Sequence, residues 1–262
     1  MKTFSLIICL LCFLITAPAM ADFYAGQVNY TQKHATGQGG EFSLEPHSGS
    51  ILSNSAYDAF TRDQTTSGSF QTFCVEVSEH ILDNSHVNVS EKDVSGTTVS
   101  YAYEGGGGTD GSGFGDPLDS RTAWLYTQFA TGNLDGYDYD GTGGYNSLTR
   151  AQTAGALQRL IWSLEEEGGG TDWDVDLSSY YGIDINTDQR QLILNWQIAY
   201  GPSGWSGIGN VRVLQLYENY NSMTGVYDGF RQDQLYLTPV PGAVLLGLLG
   251  LGAAGMKLRR FA

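Results

Sequence analysis

Phe70-Gln71-Thr72-Phe73-Cys74-Val75-Glu76-Val77 alternates along its length, with Phe73, Val75 and Val77 on one side and Thr72, Cys74 and Glu76 on the other. Side chains of an extended chain point to opposite faces in turn, so a two-residue period predicts a strand. The same character recurs outward from it. Residues 23–32, 41–44, 87–89, 97–103, 211–217 and 234–237 are short runs of strand type, separated by glycine-rich connections. Residues 104–116 are dominated by glycine and lack the Lys-Ser/Thr ending of a phosphate cradle, so they read as a surface loop.

The middle of the chain changes period. Ser120 is placed to cap a short helix carrying Ala123, Trp124, Leu125 and Phe129. Ser147 or Thr149 starts a longer one, in which Ala154, Leu157, Leu160, Ile161 and Leu164 form an apolar stripe before the Gly168-Gly169-Gly170 stop. Asn186 followed by Gln189 resembles a capping box, and Gly201-Pro202 ends the helix that carries Leu192, Trp196 and Ala199. The expected fold is mainly β with some α (α+β): a β-sandwich or barrel-like core with two or three packed helices.

Both ends carry a different pattern. Lys2, the apolar run 4–15 and Ala19-Met20-Ala21 read as a signal peptide over 1–21, with the mature chain starting at Asp22. At the other end Pro239-Val240-Pro241 closes a strand, since proline cannot donate to a ladder. Residues 242–256 are uncharged, and Lys257, Arg259 and Arg260 follow them. As a helix that run spans roughly 20 Å, short of a hydrocarbon core of about 30 Å. The basic end stays cytoplasmic.

This tail, 239–262, resembles the PEP-CTERM sorting signal, although Val240 stands where the family name has Glu. The resemblance implies an exosortase-type processing enzyme as partner, a transient passage through the inner membrane, and a final place on the cell envelope surface or outside the cell.

Between the ends, residues 22–238 are long enough for a single well-cored extracytoplasmic domain. The whole chain carries 28 acids and 13 bases, and four of those bases (Lys2, Lys257, Arg259, Arg260) lie in the end segments, which hold no acid. The domain therefore has nine bases and a net charge of −19. This excludes nucleic acid, whose phosphates need Lys and Arg. With Cys9 and Cys12 removed in the signal peptide, Cys74 is the only cysteine left and no internal disulfide can form.

Two segments carry chemistry when read together: Phe73-Cys74-Val75-Glu76 on the strand and Gln158-Arg159-Leu160-Ile161-Trp162 on the long helix. They resemble the paired signatures of bacterial thioester domains, an aromatic-Cys-aliphatic-acid strand motif and a helical Gln-x-Ala-Ile-Trp motif. In this chain Leu160 stands at the alanine position and Leu157 at the threonine commonly preceding the glutamine. The Ala123-Trp124-Leu125-Tyr126 helix is similar to one found between the two motifs in many such proteins. The resemblance implies that Cys74 is the sulfur donor and Gln158 the acyl donor of an internal thioester. Trp162, one turn beyond Gln158 on the same face, would shield the bond from water. No cofactor is needed, and an amine- or hydroxyl-bearing surface ligand or exopolysaccharide would be captured covalently in a single event, without turnover.

Other groupings carry less. Asp135, Asp138 and Asp140 before Gly141 resemble part of a calcium loop, but Ser147 stands in place of the bidentate acid, so they read as a solvated acidic loop, with weak calcium binding as the alternative. Glu165-Glu166-Glu167 with Glu76 imitates a glycosidase acid pair, while three acids before glycines read as an exposed helix end. His34, His47, His80 and His86 show no zinc spacing. The functional expectation is a surface or matrix-associated adhesin, covalent through Cys74 and Gln158. The alternatives are a non-covalent glycan- or protein-binding β-sandwich and, third, a secreted carbohydrate-active enzyme.

Overall fold

The computed structural model describes residues 23–36, 39–54, 68–77, 80–90, 92–94, 97–102, 116–167 and 184–238. Strands β1 (Phe23–Thr36) and β2 (Gly39–Pro46) form an antiparallel hairpin. The short β3 (Phe70–Thr72) adds to β2, and β4 (Ser85–Ser90) adds to the other side of β1. Two small ribbons pair β5 (Lys92–Val94) with β6 (Thr97–Val99) and β7 (Tyr101–Ala102) with β8 (Asp116–Pro117). Helices α1 (Ser120–Ala130), α2 (Arg150–Leu164) and α3 (Thr187–Tyr200) follow. The hairpin of β9 (Val211–Asn221) and β10 (Val226–Leu237) completes the sheet by pairing β9 with β4.

The sheet order is β10-β9-β4-β1-β2-β3, all antiparallel. Its two ends meet. Val75 N donates to Asp233 O at 3.0 Å and Leu235 N donates to Phe73 O at 3.1 Å, on either side of a Cys74–Gln234 bridge. The sheet thus curls into a barrel-like core, and the seam occupies backbone groups that two edge strands would otherwise expose.

The helix ends follow from side-chain caps. Thr149 accepts from Gln152 N while Gln152 returns the bond to Thr149 N at 2.9 Å, so of the two expected starts Thr149 is used. Ser147 has φ +63° and is turned out of a capping conformation. Asn186 and Gln189 form the expected capping box on α3. Ser120 is the first residue of α1 instead of its cap. Asp119 caps it, accepting from Arg121 N at 2.7 Å, because an ionised acceptor suits the positive helix end better than a hydroxyl.

Two expected strands are interrupted. The run 97–103 divides at Ser100, whose hydroxyl donates to Ser90 O at 2.6 Å and accepts from Val213 N at 2.7 Å, so a side chain takes the place of ladder bonds. The run 70–77 keeps regular pairing only through Thr72.

Helix α2 lies across β1 and β2 and is buried nearly all round, with Ala154, Leu157, Leu160 and Ile161 fully enclosed. At its N-terminal end, Arg150 meets the buried Glu41 of β2 in a two-point pair, Nε to Oε2 at 3.0 Å and Nη2 to Oε1 at 2.6 Å. Tyr137 Oη donates to the same carboxylate at 2.6 Å, and Arg150 Nη1 donates to Tyr139 O at 2.7 Å. Each charge is paired and hydrogen-bonded, as burial demands.

The far end of α2 departs from expectation. Glu165 is not part of an exposed helix end; it is 3% exposed and accepts from Asp119 N with both oxygens at 3.3 Å. Burial, with Asp119 and Asp116 nearby, pushes its carboxyl up to about 8. In the unfolded chain it ionises near the ordinary value of 4.5. The unfolded state therefore binds fewer protons between those values, and this group's contribution to stability is full below pH 4.5 and declines as pH rises to about 8. Glu165→Gln should match the wild type in denaturant melts near pH 4.5. Above pH 8 it should be more stable than the wild type by on the order of 2–4 kcal/mol.

Candidate functional site

The site grows out of a failure of strand pairing. Extending the Phe42–Thr72 register would set Gly40 opposite Cys74, and that pair does not form. Gly40 has φ +131° and is paired with Ala35 of β1 on its other side. Cys74 meets β10 as a wide pair, and its own N–H and C=O point away from β10. Left buried and unpaired, those two groups would cost several kcal/mol, about 1–3 each.

Gln158 supplies both partners. Cys74 N donates to Gln158 Oε1 at 3.0 Å, and Gln158 Nε2 donates to Cys74 O at 2.8 Å. A carboxamide carries the same donor and acceptor as a peptide group, so the side chain takes the place of the missing strand. One helical turn later Trp162 Nε1 donates to Glu76 O at 3.1 Å. Two strand residues advance about 6.7 Å and four helix residues about 6 Å, so the 74–76 segment and α2 run in step.

The pocket is dry. Cys74 and Gln158 have no exposed surface and Trp162 is 2% exposed. Phe73 meets Phe129 of α1 edge-on, with ring centroids 4.9 Å apart, and the Cys74 side chain is fully enclosed. Gln234 Nε2 donates to Cys74 Sγ at 3.2 Å. Burial pushes the thiol well above its ordinary range; the Gln234 N–H opposes that shift and the Glu76 carboxylate adds to it. The sulfur is held as a protonated thiol against a carboxamide.

All three expected site residues, Cys74, Gln158 and Trp162, are therefore brought together across 84 and 86 residues of chain. Gln234 is the participant that sequence reading missed. It lies 160 residues from Cys74, in a segment with no motif, and only the barrel seam places it beside the sulfur. Glu76, read as one half of an acid pair, is buried with Oε2 accepting from Asp233 N at 3.3 Å.

The acidic loop is arranged differently. Asp138 is buried and its Oδ1 accepts from Gly141 N at 2.9 Å and Gly143 N at 3.2 Å. Asp140 accepts from Thr142, and Asp135 is exposed. Among the described residues no group of three acid, histidine or cysteine side chains is gathered for a metal ion. The sorting residues Pro239, Val240, Pro241, Lys257, Arg259 and Arg260, and the whole leader, lie outside the described residues. Among those described, no helix is long and apolar enough to cross a membrane.

No family model matches the chain, and no curated protein or solved structure matches it at a significant level.

Proposed function

We propose that this chain is an exported surface protein whose Cys74 and Gln158 condense into an internal thioester and capture a partner covalently. The observation that carries this reading is the seating of the Gln158 carboxamide on Cys74, through both of its polar atoms, where water has no access. The Cys74 sulfur attacks the Gln158 carbonyl carbon; the C–N bond breaks and ammonia leaves with the thiol proton. A primary amide is a poor electrophile, and fixed proximity is what makes the attack feasible. An incoming amine then takes the acyl group, forming an amide and returning the thiol. A hydroxyl would give an ester in the same way.

The intact mass of the exported, non-denatured protein tests this. Loss of one ammonia, together with a Cys74 that does not react with thiol reagents, is the expected result. Full amide mass with a thiol that alkylates after denaturation sinks the reading.

Delivery rests on the two ends. The leader 1–21 directs export and the tail 239–262 is a PEP-CTERM-like signal cut by an exosortase-type enzyme. Surface protein should then lack the residues after about Pro241, and deleting Lys257, Arg259 and Arg260 should disturb processing. Recovery of surface protein still ending at Ala262 counts against the sorting proposal.

A second reading, non-covalent binding, has one observation in its favour. Tyr24, Tyr220 and Tyr227 cluster at one end of the sheet, with Tyr24 stacked on Tyr220 at 4.1 Å and Tyr220 4.7 Å from Tyr227. Tyr24 is 37% exposed, and among the described tryptophans Trp124, Trp162 and Trp196 are buried while Trp205 is half-buried. Retention on immobilised polysaccharide that is lost in Tyr24→Ala, and kept in Cys74→Ala, would favour this reading.

A further inference from the structure

We infer that Gln234 is a working part of the sulfur site: its Nε2–H holds the Cys74 sulfur, and its Oε1 receives an N–H of the nitrogen that leaves or enters. This rests on the thioester reading above. Two independent observations support it. Gln234 Nε2 lies 3.2 Å from Sγ, in direct contact with a reacting atom. Gln234 Oε1 is fully buried and has no hydrogen-bond partner, although the residue has no exposed surface at all. A buried acceptor left empty costs about 1–3 kcal/mol, and such groups in folded proteins call for an explanation.

The chemistry of the site provides one. In condensation the Cys74 S–H proton must pass to the departing nitrogen, and ammonia forms next to the sulfur. In capture, the C–S bond breaks and the sulfur leaves with the electron pair, while the amine gives up a proton. Both steps place an N–H donor and a sulfur carrying negative charge side by side. A carboxamide offers a donor for the sulfur and an acceptor for the nitrogen, and needs no proton transfer of its own. Gln234 is fixed for this by the seam, where Phe73, Val75, Asp233 and Leu235 lock the two strands in register, and by a second bond from Nε2 to Gln232 O at 3.3 Å.

The test uses the full chain, exported and purified without denaturation. Gln234→Met keeps the volume and removes both polar atoms. Gln234→Glu keeps an acceptor and removes the donor. Among folded molecules, Gln234→Met should show a smaller condensed fraction than the wild type. Its condensed molecules should take up methylamine roughly tenfold to a hundredfold more slowly. Gln234→Glu should be slow as well, and slower still as its carboxylate ionises, giving a pH profile that the wild type lacks. A merely structural role would move the melting temperature but not the rate per condensed molecule or its pH dependence. Wild-type condensation and uptake rates in Gln234→Met overturn the assignment and leave the thioester reading intact. If Gln234→Met does not fold, wild-type rate and pH profile in Gln234→Glu overturn it. A wild type at full amide mass sinks the thioester reading first, and this assignment with it.

Discussion

Methylamine added to the folded protein should be incorporated once per molecule, at Gln158, with the Cys74 thiol released in the same step. Cys74→Ala should abolish uptake entirely and show full amide mass, because no sulfur remains to activate the carboxamide. Gln158→Ala should abolish it too, with the thiol present from the start. Compared with Cys74→Ala, which keeps the carboxamide, Gln158→Ala also removes both partners of the residue-74 backbone and should be less stable by about 2–6 kcal/mol. Leu160 is fully buried, and two residues along α2 set it about 200° round the helix from Gln158. Leu160→Ala should therefore not reduce condensation, although it leaves a cavity and should lower the melting temperature. Peptide mapping after methylamine treatment checks every arm, and label found anywhere except residue 158 would refute the assignment.

The largest effect on stability is expected away from this site. Arg150→Met leaves the Glu41 carboxylate buried with Tyr137 as its remaining partner, and should destabilise the fold by about 3–5 kcal/mol. Replacing both charges together, Arg150→Met with Glu41→Leu, should recover much of that loss, since neither desolvated charge is then stranded. Denaturant melts of the two single variants and the double variant close the cycle. A double variant as unstable as the sum of the singles would show that the pair is not coupled in this way.

The sequence already held the class of the fold, because alternation and helical stripes report on burial directly. It also held the caps at Thr149 and Asn186, where a side chain and its partner lie three residues apart. What it did not hold is non-local. The alternation of 70–77 predicts a strand to Val77, yet pairing with β2 ends at Thr72 and the next bridge, at Cys74, is to β10. Glu165 reads as a solvated acid, but the N-terminus of α1, forty-six residues earlier, covers it. The meeting of Cys74 with Gln158 was legible only as two motifs. Why they meet was not legible, since a carboxamide standing in for a missing strand has no signature in either segment. Gln234 had none at all.

The barrel seam has a mechanical consequence. Under the proposed arrangement, load enters at Gln158, held against the first strand of the seam, and leaves through β10, the last strand before the C-terminal tail. β10 is gripped from two sides, by its long antiparallel ladder with β9 and by the bonds to Phe73 and Val75. Tension along β10 shears these bonds together instead of peeling them singly, and resistance to forced opening is governed by the unfolding rate. The seam bonds use the backbone of residues 73 and 75, not that of Cys74, so opening the thioester would free the sulfur without unfastening the strand that bears the pull.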